Sequence, residues 1–187
     1  MAIPYLRSVT TPDLPVVLDI QSRCYAEAFH EPLAAFQAKL TESGSAWLAW
    51  AKHVPAGYLF TLPLALTDTL ALPSLADTAV PQLDKNNPPD CLYLHDLAVL
   101  PEHRGSGISR LLFAAALEHA AANRLPHMAL VAVQGSLPFW QSLGFLPVPT
   151  PPPSIQAKLT SYGDGAAFML RSTPDSEQTL RHIKSYD

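Results

Sequence analysis

Cysteine is almost absent from this chain: Cys24 and Cys91 are the only two among 187 residues. They make neither a disulfide framework nor a metal-ligand cluster, and they suit a reducing, cytoplasmic compartment. Charge is scarce too. Lys and Arg number 12, Asp and Glu 16, and the formal net charge is −4. No basic stripe appears, so nucleic acid is not an expected partner. No apolar run is long enough to span a bilayer. The start, Met1-Ala2-Ile3-Pro4-Tyr5-Leu6-Arg7, lacks the apolar core of a secretion signal. No membrane and no metal are therefore expected, while a mildly acidic surface tolerates a cationic amine.

Proline, in contrast, is plentiful at 19 residues. Pro63, Pro73, Pro81, Pro88 and Pro89 break up residues 63–90 and erase periodicity there, which predicts a long surface excursion. The run from Pro147 to Pro153 reads as a stiff loop, and the tail at 172–187 is polar. A chain of this length can bury a proper core, so residues 1–187 are expected to form a single domain.

Alternation predicts a strand over Ile3–Val9. Thr11-Pro12-Asp13 is a helix start, followed by Leu14, Val17, Leu18 and Tyr25 on one face. Glu31-Pro32 opens a second helix with Leu33, Phe36 and Leu40 as its stripe, closed by Ser43-Gly44. Ala46–Ala51 and Gly57–Leu62 read as strands joined near His53. Cys91–Val99 is an apolar strand, and Ile108, Leu111, Leu112, Ala115 and Ala116 line a helix. Further strands are expected at His127–Val133, Phe145–Val148 and Ser161–Leu170, with a short helix over Leu137–Leu143 ended by Gly144. The order β-α-α-β-β-β-α-β-α-β-β points to α/β or α+β with a mixed sheet and helices on both faces.

Tyr93 to Leu112 carries the chemistry: strand, small glycine-rich loop, helix. Such a junction presents unpaired N–H groups and the positive end of a helix dipole, which attract an anion. Gly105 and Gly107 allow close approach, and Arg104 adds a fork of donors. The loop lacks the Lys-Ser/Thr of a Walker A sequence and the three glycines of a dinucleotide fold. Histidine, ordinarily with a pKa of ~6.5, suits general-base work, and His95 is the candidate. By the two-residue period it shares a strand face with Leu97 and Val99. Asp96 falls on the other face of a regular strand, where an acid caps or pairs.

Together with a second run, Leu130 to Phe145, this stretch resembles the GNAT superfamily of acyl-CoA-dependent N-acetyltransferases. Arg104-x-x-Gly107-x-Ser109 resembles the family's Gln/Arg-x-x-Gly-x-Gly/Ala loop, with serine at the last position. Phe139-Trp140-x-x-Leu143-Gly144-Phe145 is similar to its aromatic helix and Gly-Phe ending. The resemblance covers residues 91–148 most closely. It implies a mostly antiparallel sheet of about seven strands, splayed between the fourth and fifth.

It also implies acetyl-CoA as co-substrate. Leu97, Ala98 and Val99 would pair with the pantetheine arm, and the loop Arg104, Gly105, Ser106, Gly107, Ile108, Ser109 and Arg110 would hold the pyrophosphate. Ser136, Phe139 and Trp140 would complete the cofactor side. The Val99 N–H would face the thioester carbonyl. His95 would take the proton from an acceptor amine; serotonin N-acetyltransferase, of this family, has a histidine there and another two residues earlier. That earlier position is Tyr93 here, able to relay a proton through water or only to pack. Many members place a tyrosine near the departing sulfur, where this chain has Trp140.

The acceptor site would be shaped by residues 24–36 and 63–90. Glu27, His30, Glu31, Asp68, Asp77 and Asp84 can either greet an ammonium group or sit as solvated charges, and Tyr58 and Phe60 can line a pocket or fill the sheet. The expected function is acetyl transfer to the primary amine of a small molecule, with a homodimer admissible. The alternatives are an acyl-CoA-binding module without turnover and a peptide N-acetyltransferase.

Overall fold

Residue patterning sets the elements. A computed structural model describes residues 3–41, 45–66, 86–151 and 153–174. Strand β1 is Tyr5–Ser8. Thr10 then turns the chain: its N–H and hydroxyl donate to Asp13 Oδ2 at 2.8 and 2.7 Å. Arg7 clamps both oxygens of the same carboxylate, at 2.6 and 2.5 Å. The Arg7 bond, helped by those from Thr10 and opposed by burial, holds Asp13 well below the usual carboxylate range. Helix α1 is Leu14–Cys24, with Pro15 in its first turn, and it buries Leu14, Val17, Ile20 and Gln21. Helix α2 is Leu33–Thr41. The expected stop at Ser43-Gly44 lies outside the described residues.

Strands β2 (Ser45–Ala51) and β3 (Val54–Leu64) form a hairpin, turned by Lys52 and His53 with φ of +51° and +67°. Two left-handed residues make the turn that matches strand twist. The remaining elements are β4 (Cys91–Val99), α3 (Ile108–Ala122), β5 (His127–Ala132), α4 (Leu137–Ser142), β6 (Leu146–Pro147), α5 (Pro153–Ser161) and β7 (Ala167–Ser172). The sheet has seven strands in the order β1-β2-β3-β4-β5-β7-β6. It is mixed: the pairing of β4 with β5 is parallel, whereas β1–β2, β2–β3, β5–β7 and β6–β7 are antiparallel. The parallel ladder joins only Cys91, Leu92 and Tyr93 to His127, Met128 and Ala129. So short a ladder fits the expected splay.

The chain divides into two compact units. The first holds the described residues up to 62 together with 94–116. Its core packs Phe36 of α2 edge-on against Tyr58 and Phe60 of β3, with ring centroids 6.1 and 4.9 Å away. Leu14, Val17 and Ile20 of α1 join that cluster. Tyr58 and Phe60 are thus core residues. A Cβ added to Gly57 would sit 2.6 Å from the Ala98 carbonyl oxygen, so glycine is what lets β3 and β4 approach there.

The second unit holds the described residues among 63–93 and 117–174 apart from residues of the first. Asp90 ties the ends of the 63–90 excursion: its N–H donates to the Leu64 carbonyl (3.1 Å), and its Oδ1 accepts from the Leu66 N–H (2.6 Å). Residues 67–85 of the excursion, with Asp68, Asp77 and Asp84, lie outside the described residues. Helix α5 is a correction. The proline run read as a loop, and the last strand as starting at Ser161. Instead Pro153 begins a helix, where a missing N–H costs nothing, and Ile155 and Leu159, one turn apart, bury its inner face. The strand begins only at Ala167. No helix among the described residues is long and apolar enough to cross a membrane.

Candidate active site

In the first unit, His95 on β4 is held by an acid from the segment before α2. Its Nε2 lies 2.7 Å from Glu31 Oε1. The His95 side chain is 4% exposed, yet the residue as a whole is not buried. The accessible part of His95 is therefore its main chain. Lys39 of α2 bonds the other oxygen, Glu31 Oε2, and both of these side chains are 2% exposed. Gln21 of α1 secures the Glu31 backbone from both sides: its amide donates to the Glu31 carbonyl (3.0 Å) and accepts from the Glu31 N–H (2.8 Å). Burial works to raise the Glu31 pKa, but His95 and then Lys39 outweigh it and hold the carboxyl below its usual range. Glu31, expected to greet an ammonium group or sit in solvent, does neither. Its carboxylate is committed inside the protein. Glu27 is exposed, and His30 donates through Nε2 to the Tyr25 carbonyl at 2.9 Å.

Asp96 turns into a second cluster. Tyr58 donates to its Oδ2 (2.6 Å), and the Tyr25 hydroxyl lies 2.8 Å from Oδ1 and 2.7 Å from the Leu97 carbonyl. Burial raises the Asp96 pKa, against the tyrosine bonds and the His95 charge. Burial, with the Asp96 charge, also pushes both tyrosines well above their ordinary value. The expectation that this acid pairs structurally holds.

Two main-chain groups of β4 are thus claimed by side chains. Tyr25 takes the Leu97 carbonyl, and Arg104 Nε donates to the Val99 carbonyl at 3.3 Å. The Leu100 N–H donates to Ala56 on β3 at 2.9 Å. Because strand N–H groups alternate, the Val99 N–H turns away from β3. Arg104 also faces the Cys24 thiol, whose pKa burial raises despite that positive charge. The Arg104 side chain thus braces the end of β4 through Nε, while the residue stays exposed.

The loop that follows is exposed from Arg104 to Gly107. Gly105 and Gly107 have φ of +74° and +86°, and a Cβ on either would meet nothing within 4 Å. Their need for glycine is conformational, and the space over them is open. The first backbone bond of α3 runs from the Leu111 N–H to the Gly107 carbonyl at 3.0 Å. The N–H groups of Ile108 and Ser109 precede it, with no carbonyl one turn back to accept them. Ile108 is buried as the first apolar contact of α3, Ser109 is half-buried and Arg110 is exposed. An exposed turn with such donors at the start of a long helix fits a diphosphate.

In the second unit Tyr93 is buried on β4, opposite Ala129 in the parallel ladder. Ser136 closes the turn after β5: its Oγ accepts from the Val133 N–H at 3.2 Å, and its own N–H donates to the Val133 carbonyl at 3.0 Å. Trp140 is buried edge-on between Phe139 (5.0 Å) and Phe145 (5.6 Å). Among the described residues no group of three or more His, Cys, Asp or Glu could hold a metal ion.

Sequence reasoning missed Gln21, Tyr25 and Lys39. A buried lysine at helical spacing carries no mark that separates it from a solvated one. Gln21 and Tyr25 read only as members of α1, and their partners lie 10 and 71 residues away.

A model of the acetyltransferase (GNAT) family matches residues 14–145. No curated protein matches the chain significantly. Many solved structures do. The ribosomal-protein-S18-alanine N-acetyltransferase from Escherichia coli matches with a TM-score of 0.63 and 18% identity, over 91% of this chain and 94% of that one. The PaiA N-acetyltransferase from Thermoplasma acidophilum, in complex with coenzyme A, gives 0.63 and 12%, over 91% and 99%. N-acetylglutamate synthase from Neisseria gonorrhoeae, complexed with coenzyme A and N-acetyl-glutamate, gives 0.65 and 13%, over 92% of this chain and 36% of that one. At such identities the likeness is one of fold.

Proposed function

The chain belongs to the GNAT acetyltransferase family, and on that premise we propose that it moves an acetyl group from acetyl-CoA to the primary amine of a small molecule, by direct attack in a ternary complex. The observation that carries this reading is one strand holding both His95, its imidazole fixed by Glu31, and a Val99 N–H turned away from β3. The open turn at Gly105–Gly107 and the first N–H groups of α3 support the cofactor assignment.

Bound there, acetyl-CoA supplies the thioester that the amine attacks. An alkylammonium, with a pKa of about 10, must first lose a proton. His95 accepts it. The carbon–nitrogen bond forms, the carbon–sulfur bond breaks, and CoA leaves as a thiolate, which takes up the second proton, the one shed by the new amide nitrogen. The Val99 N–H donates to the acyl oxygen as negative charge grows on it. Arg104 and Tyr25 keep that stretch of backbone still by holding the Val99 and Leu97 carbonyls. A thiol pKa of about 8.5 makes the thiolate a tolerable leaving group without a phenol at Trp140. A reducing, cytoplasmic setting suits this chemistry: Cys24 and Cys91 are free thiols, and burial pushes Cys91 up to about 12.

The test is thiol release from acetyl-CoA across polyamines, arylalkylamines, amino acids, aminoglycosides and peptides. Small-amine turnover that falls in His95→Gln, with its acidic limb displaced, supports the proposal. An unchanged pH–rate profile removes His95 as base, and faster turnover of peptides makes the acceptor a protein. Trp140, which offers no phenol, favours a second reading: a module that binds acyl-CoA without turning it over. CoA binding with no thiol release on the whole panel would establish that module.

A further inference from the structure

Two phenols reach the carboxyl of Asp96, and they stand differently. Tyr58 donates to Oδ2 at 2.6 Å. Tyr25 stands between two acceptors, Asp96 Oδ1 at 2.8 Å and the Leu97 carbonyl at 2.7 Å. A hydroxyl has one hydrogen to give and lone pairs with which to receive another. For both Tyr25 contacts to be full bonds, one of its two neighbours must supply a hydrogen. A carbonyl has none; a carboxyl has one when protonated. Asp96 Oδ1–H then donates to the Tyr25 oxygen, and the Tyr25 hydrogen goes to Leu97. An ionised Asp96 draws that hydrogen onto Oδ1 instead, because a charged acceptor is the stronger one. The Leu97 carbonyl then loses its donor. Burial favours the uncharged form of Asp96.

We propose that Asp96 is a positioning residue of the acyl-transfer site and works as a neutral acid: by donating to Tyr25 it directs the Tyr25 hydrogen onto Leu97, and so holds β4 where the Val99 N–H meets the acyl oxygen. The proposal rests on the reading of β4 as the acyl-transfer strand and adds what keeps that strand in place. Leu97 lies two residues before Val99, whose own carbonyl Arg104 holds. Loss of the Asp96 proton releases the Leu97 carbonyl, so turnover declines as pH rises through the folded value of Asp96. The groups facing Asp96 come from every element around it: Tyr58 on β3, Tyr25 and Cys24 at the end of α1, Glu31 ahead of α2, and His95 beside it on β4. Lys39 and Arg104 stand behind Glu31 and Tyr25. Of all these, Tyr25 is the group that joins the carboxyl to the main chain of β4.

The test combines steady-state thiol release in wild type, Tyr25→Phe, Tyr58→Phe, Asp96→Asn and Asp96→Leu with carbon NMR titration of the Asp96 carboxyl in wild type. Tyr25→Phe takes the donor from Leu97, so kcat should fall about tenfold while KM for acetyl-CoA moves less than about threefold. Tyr58→Phe takes a phenol from the same carboxyl but leaves Leu97 its donor, and kcat should fall by less than about threefold. Asp96→Asn, whose amide donates as the acid does but does not ionise, should turn over faster than Asp96→Leu and lose the alkaline decline. The carboxyl carbon should report the acid form at the pH of greatest kcat/KM. Equal losses of kcat in the two Phe variants, or a Tyr25→Phe effect confined to KM, overturn the proposal. So does an Asp96 that is ionised at that pH, and this measurement on wild type decides where a variant does not fold. A wild type that releases no thiol overturns the transferase reading itself, and the role of Asp96 falls with it. The other adverse outcomes leave that reading standing and remove Asp96 alone.

Discussion

At the scale of single residues, hydrogen counting around Asp96 is informative. Three contacts, Tyr25–Asp96, Tyr25–Leu97 and Tyr58–Asp96, share two hydroxyl hydrogens when the carboxyl is ionised. A protonated Asp96 supplies the third, and burial favours that form. Because the folded pKa is raised, the stabilisation is fully present below the unfolded value of about 3.9 and is lost as pH rises through the folded one. Asp96→Asn, a neutral stand-in with a donor and an acceptor, should therefore gain stability relative to wild type as pH rises through the folded value. Urea midpoints on both sides of that value check it, and a relative loss would show an ionised Asp96. Tyr25→Phe should cost about 1–3 kcal/mol, the penalty of buried acceptors left without a donor. Removing Glu31 is harsher: Glu31→Ala strands a buried ammonium and should cost about 3–5 kcal/mol. None of these partnerships is legible in the sequence. His95 could be singled out because imidazole chemistry is intrinsic to the side chain. Glu31 could not, because what distinguishes it from Glu27 is the distant His95 and its own burial.

At the scale of elements, what sequence revealed was local. Thr11-Pro12-Asp13 marks a helix start by capping chemistry alone, although the cap itself is Thr10, and Gly144 marks a stop. The Ile155/Leu159 pair was masked by the proline run before it, since proline signals a loop and a first helical turn equally well. Asp13 joins two elements, and its pH dependence has the opposite sign to that of Asp96. Its folded pKa is depressed, so its contribution is present above about pH 4 and fades as pH falls through the folded value. Asp13→Asn should lose about 1 kcal/mol at neutral pH and flatten the decline in stability below pH 4, read from unfolding midpoints. Between β3 and β4, Gly57→Ala would force a methyl against the Ala98 carbonyl. A loss of about 1–3 kcal/mol is expected, and Val99 would shift with it, so turnover should fall further than that of a surface Gly→Ala such as Gly163→Ala. Equal activity would show that the approach of the two strands is not tight.

At the scale of the whole molecule, a mixed sheet of about seven strands was legible because two linked motifs, each on a strand–turn–helix, carried the family resemblance; which strands lie side by side, and that β4 and β5 run parallel, was not. A ligand that binds only the folded chain stabilises it by mass action, by about 2.7 kcal/mol at one hundred times its Kd. For a chain of this size that is a rise of roughly 5–10 °C in Tm, which scanning calorimetry with coenzyme A should record. Gly107→Val places a branched side chain at φ +86° over the open turn and should abolish the rise. The variant's own Tm without ligand serves as control, and an undiminished rise would put the diphosphate elsewhere.

The raised pKa of the Asp96 carboxyl inside the first unit also makes folding an acid–base reaction. Between about pH 4 and the raised value of Asp96, a chain that closes around this side chain draws a hydrogen ion from the solvent, and one that opens gives it back. The heat of melting would then differ between phosphate and Tris by the buffers' own ionisation enthalpies, and the contribution of this site to that difference would vanish once asparagine stood at position 96.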